Sequence, residues 1–172
     1  MKKKIFLVVV IVMAMLQGIV AQTNSNQAFN NIMTAYLNLK NALTIDNADS
    51  AMSAAKSLYK AIDKMPMEGL SADKHKIWMQ YSEKLSYDAD HIKSTTDIEH
   101  QREHFVSLSK NMYAVAKAFN TNTAKIYYQF CPMANDGKGA YWVSEKEEIH
   151  NPYMGKQMPS CGSTKETVSP AK

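Results

Sequence analysis

Sulfur is concentrated near the C-terminal end of this 172-residue chain: Cys131, Met133, Met154, Met158 and Cys161 put two thiols and three thioethers within 31 residues. Thiolate and thioether donors together favour a soft monovalent ion such as Cu(I) or Ag(I) over zinc or magnesium. An extended backbone through 130–134 points Cys131 and Met133 to one side, because side-chain direction repeats every second residue, and a turn at Pro159 brings Met158 near Cys161. His150 is a possible nitrogen donor that reads more simply as a solvated loop histidine. The cysteines also have a competing use. Joined to each other they would stabilise a turn-rich segment by about 3–4 kcal/mol, and an oxidised pair has no thiolate to donate. On the residues alone, disulfide and metal site both stay open.

A second grouping, His100-Gln101-Arg102-Glu103-His104, matches the H-x-x-E-H string in which two histidines one helical turn apart hold zinc and the glutamate activates water. That chemistry also needs a third protein ligand and a substrate cleft, for which a bundle of about a hundred residues has little room. If Ile98, Phe105, Leu108 and Met112 face the interior, His100 lies off the seam and His104 flanks it. A polar face at a helix–helix edge is the simpler reading. Of the 12 methionines, nine remain once Met1, Met13 and Met15 are set aside with the leader, and Met33, Met52, Met65, Met67, Met79 and Met112 fall in or beside helical segments, where thioethers fill a core.

The elements that must position these residues are mostly helices. Phe29, Ile32, Tyr36, Leu39 and Leu43 step by three and four, as do Ala48, Ala51, Ala55, Leu58, Ile62 and Met65 after an Asp46-Asn47 break and before Pro66. Ser71 can cap a third segment carrying Ile77, Trp78, Tyr81, Leu85 and Ile92. Thr96 and Glu99 read as a capping box for a fourth, with Ile98, Phe105, Leu108, Met112, Val115 and Phe119 as its seam. Short connections predict an up-and-down four-helix bundle over 22–122, mainly α. Beyond it, Ile126–Phe130 and Ala140–Val143 flank the turn material Asn135-Asp136-Gly137 and predict a hairpin. A small hairpin and loop lobe over 123–162 follows from this. Residues 163–172, with Val168 as their one large apolar group, read as a disordered tail.

The first 21 residues read as an export signal: Lys2, Lys3 and Lys4, an apolar core from Ile5 to Leu16, then Gly18 and Ala21. A dozen apolar residues is short for a membrane span, so no stable insertion is expected after cleavage. Without the leader, 17 Lys and Arg face 16 Asp and Glu, which argues against a nucleic-acid partner. The leader implies export, to the periplasm or the medium, where disulfides persist.

The spaced elements Cys131-Pro132-Met133, Ala140-Tyr141-Trp142, Asn151-Pro152-Tyr153 with Gly155, and Met158 with Cys161-Gly162 resemble an exported domain family of unknown function common in Bacteroidota, which also occurs on the periplasmic adaptor subunits of heavy-metal efflux pumps. The resemblance implies copper or silver handling in the periplasm, with Cys131, Met133, Met158 and Cys161 as ligand candidates. Met154 stands where such sequences often carry an aromatic residue. The reading that follows is a non-enzymatic exported protein whose terminal lobe holds Cu(I) or Ag(I), buffering it or passing it to an efflux adaptor. Its rival is an interaction module in which a Cys131–Cys161 disulfide braces the lobe and Tyr141, Trp142 and Tyr153 contact another protein. A metalloprotease is a distant third.

Overall fold

The computed structural model describes residues 24–119 and 125–169; the leader at 1–21 lies outside the described residues. Four helices carry the fold: α1 over 24–44, then α2 (Ala48–Asp63), α3 (Ala72–Ile92) and α4 (Ile98–Phe119). Each buries the stripe that its three-and-four spacing marks. Phe29, Ile32, Tyr36, Leu39 and Leu43 of α1 meet Phe105, Leu108, Met112, Val115 and Phe119 of α4 in one core. α1 runs antiparallel to α4, since Phe29 stacks on Phe119 at 4.6 Å while Tyr36 stacks on Phe105 at 5.5 Å. No helix among the described residues is long and apolar enough to cross a membrane.

The helix starts follow capping chemistry. Asn47 Oδ1 accepts from the Ser50 amide at 2.9 Å, and Ser71 Oγ from the Lys74 amide at 3.4 Å. At α4 the cap is Asp97 and not Thr96. Its carboxylate accepts from the Glu99 and His100 amides at 3.0 and 3.4 Å, and an anion at a helix start also answers the helix dipole. Thr95 supports it from outside, its hydroxyl accepting from the Asp97 amide at 3.0 Å.

The C-terminal lobe is a three-stranded antiparallel sheet, β1 (Ile126–Cys131), β2 (Ala140–Ser144) and β3 (Ser163–Val168), in the order β2-β1-β3. The expected hairpin forms, with Cys131 opposite Ala140 and Gln129 opposite Trp142. Asn135 and Asp136 turn it with φ of 54° and 55°, a left-handed conformation that short polar side chains tolerate. The expected tail is corrected: residues 163–168 pair with β1 from Ile126↔Val168 to Phe130↔Ser163. Their side chains alternate between half-buried and exposed, so the strand is held by backbone hydrogen bonds on the free edge of β1 and needs no large apolar group.

Three polar clamps dock the lobe on the bundle. Lys40, whose side chain is fully buried, donates to Glu145 Oε2 at 2.8 Å, and Asn41 donates to Oε1 at 3.0 Å. The Tyr36 hydroxyl accepts from the Val143 amide at 3.0 Å and lies 2.8 Å from Ser109 Oγ. Arg102 donates to the carbonyls of Pro152 and Leu43 and pairs with Asp46, whose other oxygen accepts from the Lys156 amide at 3.1 Å. Gly155 lies against that last pair with φ of +52°; a Cβ there would stand 1.8 Å from Asp46 Oδ1.

Candidate metal centre

The last turn of α3 and the first turns of α4 are joined by residues 93–97 and therefore lie side by side. Gln101, fully buried, fixes that junction by donating from Nε2 to the carbonyls of Thr95 and Ala48 at 2.8 and 3.0 Å. On α4, His100 and His104 stand four residues apart on one face. On α3, His91 faces them. One ligand atom from each of the three lies within 4.8 Å of the others, the one such group among the described residues. The His91 and His104 rings stack at 4.3 Å, and the His100 and His104 rings meet edge-on at 4.7 Å. Three nitrogens around one ion at about 2.0–2.1 Å would sit about 3.3–3.6 Å apart, so small side-chain rotations bring these rings onto a shared ion.

Around the histidines stand groups that orient them. Asp88 Oδ1 lies 3.3 Å from His104 Nδ1 and accepts from the Ser107 hydroxyl at 2.8 Å. Burial pushes the Asp88 carboxyl up, against the pull of its contacts with Ser107 and His104. A carboxylate on one ring nitrogen leaves the other free for a metal and makes it a better donor. Glu103 lies 3.4 Å from His100 Nδ1, with its carboxylate largely in solvent. The Tyr87 ring covers His91 at 4.4 Å.

The H-x-x-E-H string thus gains the third nitrogen it lacked, from His91. His91 was not among the residues singled out in the sequence, because its nearness to His100 depends on two helices folding back on each other. The one available signal was a histidine in the last turn of one predicted helix and two in the first turns of the next.

Beside this group runs a cleft of about 740 Å³ between the start of α4, the β1–β2 turn and residues 153–157. His100 lines it, as do Met133 and Met154. The sulfur residues singled out in the sequence are divided by the fold. Cys131, fully buried at the end of β1, is joined to Cys161 in a disulfide with Cα atoms 5.7 Å apart. The bridged pair has no thiolate to offer, so a site built on both cysteines belongs to the reduced chain. Met133 is 53% exposed. Met158 follows the 3₁₀ turn Gly155–Gln157 and is half-buried. His150 contacts Glu148 at the surface, 3.2 Å away. Of the three aromatics considered for an interface, Trp142 and Tyr153 are buried and Tyr141 is 37% exposed.

The Asn151-Pro152-Tyr153-x-Gly155 element has a structural use. Asn151 accepts the Tyr153 and Met154 amides and donates to the Cys161 carbonyl, Pro152 takes Arg102, and the Tyr153 hydroxyl donates to the Tyr141 carbonyl at 2.5 Å.

Comparison with known families matches residues 32–124 to one described as a protein of unknown function, DUF3347. The match takes in most of α1 and all of α2, α3 and α4, with every histidine of the group, and leaves out the lobe on which the spaced sequence elements lie. No curated protein and no solved structure matches.

Proposed function

The chain belongs to the DUF3347 family of unknown function, and from that premise we propose that it is an exported, non-enzymatic metal-binding protein whose ion sits on His91, His100 and His104. The single observation that carries the reading is the convergence of three imidazoles from two helices, one of them backed by the buried carboxylate of Asp88. Imidazole suits copper and zinc, and among divalent ions nitrogen sites bind copper more tightly. Three protein ligands leave a coordination position open at the surface, which suits an ion that is to be released again. Copper or silver, buffered in the periplasm and passed to an efflux adaptor, is the role we infer for it. The Cys131–Cys161 bridge is compatible with an oxidising compartment.

The test is titration of the bridged chain with Cu(II) and Zn(II) against a competing chelator. One ion bound per chain is expected, with three-nitrogen coordination by electron paramagnetic resonance for Cu(II). His91→Gln and His104→Gln should each weaken binding beyond the about 10–100-fold that loss of an outer-shell partner causes. Unchanged affinity in both variants overturns the reading. The rival is an interaction module braced by the disulfide, a bridge that serves either reading; the rival rests on the 37% exposure of Tyr141 and gains if the chain binds no metal and a partner is lost on Tyr141→Ala.

A further inference from the structure

His100 belongs to two places at once: the histidine group and the cleft between bundle and lobe. Into the same cleft the lobe presents Met133 from the β1–β2 turn and Met154 from the segment leading into the 3₁₀ turn. Met133 is more than half exposed, and Met154 is half-buried, packed in part against the core. Both are carried on firm backbone. The turn after Met133 is closed by the Gly139 amide donating to the Ala134 carbonyl at 2.9 Å, and the Met154 amide donates to Asn151 Oδ1 at 3.0 Å. Four carboxylates line the cleft, Asp97 (which caps α4), Glu99, Glu103 and Asp136, against two cations, Lys138 and Arg102, the latter engaged by Asp46 and Glu99, so acidic groups outnumber basic ones. A cation is drawn into such a recess.

We propose that this cleft is a second metal site, for a soft monovalent cation, with Met133, Met154 and His100 as its ligands. Thioether with imidazole selects Ag(I) or Cu(I) over zinc. Thioethers coordinate without losing a proton, and unlike thiols they do not pair into a disulfide. They therefore remain donors in the chain as it stands, with Cys131 and Cys161 already joined. Because His100 serves both positions, an ion in the cleft and an ion on the three histidines compete for one ligand. That competition rests on the reading of the histidine group as a metal site; the cleft site does not.

The experiment uses the bridged chain, with Ag(I) and Co(II) as separate probes. Met133→Leu with Met154→Leu nearly conserves volume and keeps the packing. It should weaken Ag(I) binding at least about tenfold, roughly 1.4 kcal/mol, and leave the Co(II) spectrum and affinity unchanged. His91→Gln should do the reverse, and His100→Gln should weaken both. Ag(I) affinity within twofold of the parent in the Met133→Leu/Met154→Leu variant overturns the cleft site, as does a parent chain that does not bind Ag(I). If the parent binds no Co(II) but loses Ag(I) with the two methionines, the histidine reading falls and the cleft site stands.

Discussion

At the scale of single residues, Asp88 is the most informative side chain, because its chemistry is costly unless it has a use. A carboxylate 95% out of solvent, held by one hydroxyl and one imidazole, is destabilising on its own account. Its contact with His104 Nδ1 occupies that nitrogen and leaves the other one of the ring as the donor to an ion shared with His91 and His100. Asp88→Asn keeps the shape and removes the charge. The expected result is a loss of about 10–100-fold in Cu(II) or Zn(II) affinity, with the fold intact by circular dichroism. A variant that binds as tightly as the parent would leave Asp88 a buried polar residue and nothing more. Ser107→Ala, which removes only the hydroxyl from Asp88, should have the same direction of effect and a smaller size.

Between elements, the contact of α1 with the sheet turns on Lys40 and Glu145. Burial alone would raise the Glu145 carboxyl, but hydrogen bonds from Lys40 and Asn41 outweigh it and hold the group below the usual carboxylate range. Burial likewise lowers the Lys40 ammonium, with Glu145 pulling the other way. The sign for stability follows from Glu145. A carboxyl whose folded pKa is depressed contributes stability that is complete above the ordinary glutamate range and is lost as pH falls through the depressed value. Glu145→Gln leaves the buried Lys40 without its carboxylate; with Glu145 itself 30% exposed, the loss is about 1–3 kcal/mol at neutral pH. Thermal melts of parent and variant should therefore lie furthest apart near neutrality and converge as the solution is acidified. A gap that stays constant down the acid limb would show that the pair contributes nothing through its charge.

The seams of all four helices could be read because burial repeats with the helical period: Ala51, Ala55, Leu58 and Ile62 are buried in order, as are Phe105, Leu108, Met112 and Val115. The α4 start was placed within a residue, yet given to the wrong cap, since Thr95, Thr96 and Asp97 are all capable and only the backbone path decides. β3 was missed because Ser163–Val168 carries its strand signal in hydrogen bonds to β1 and not in apolar alternation. His91 was missed because its partners sit on another helix. The sulfur residues were visible as a group, but sequence order could not say that the bridge would take the cysteines while the cleft took Met133 and Met154.

For the molecule as a whole, the division between bundle and lobe sets which functions survive the loss of the disulfide. The histidine group lies entirely on α3 and α4, within the span that matches the family, and no lobe residue is among its ligand candidates. The cleft needs both parts, and its far wall is fixed through Asn151, which holds the Cys161 carbonyl, and through the bridge that ties Cys161 to β1. Cys131→Ala with Cys161→Ala removes the cross-link without placing a hydroxyl at the buried Cys131 position. The chain-entropy estimate for a closed loop with a sequence separation of 30 is about 3–4 kcal/mol, which in a chain of this size lowers Tm by roughly 10 °C. Below that lowered Tm the clamps from Lys40, Tyr36 and Arg102 still hold the lobe, so Cu(II) or Zn(II) binding should match the parent while Ag(I) binding weakens as Met154 loses its fixed position. Equal loss of both ions would mean that the lobe supports the histidines after all. Retention of both would place the soft cation somewhere the bridge does not govern.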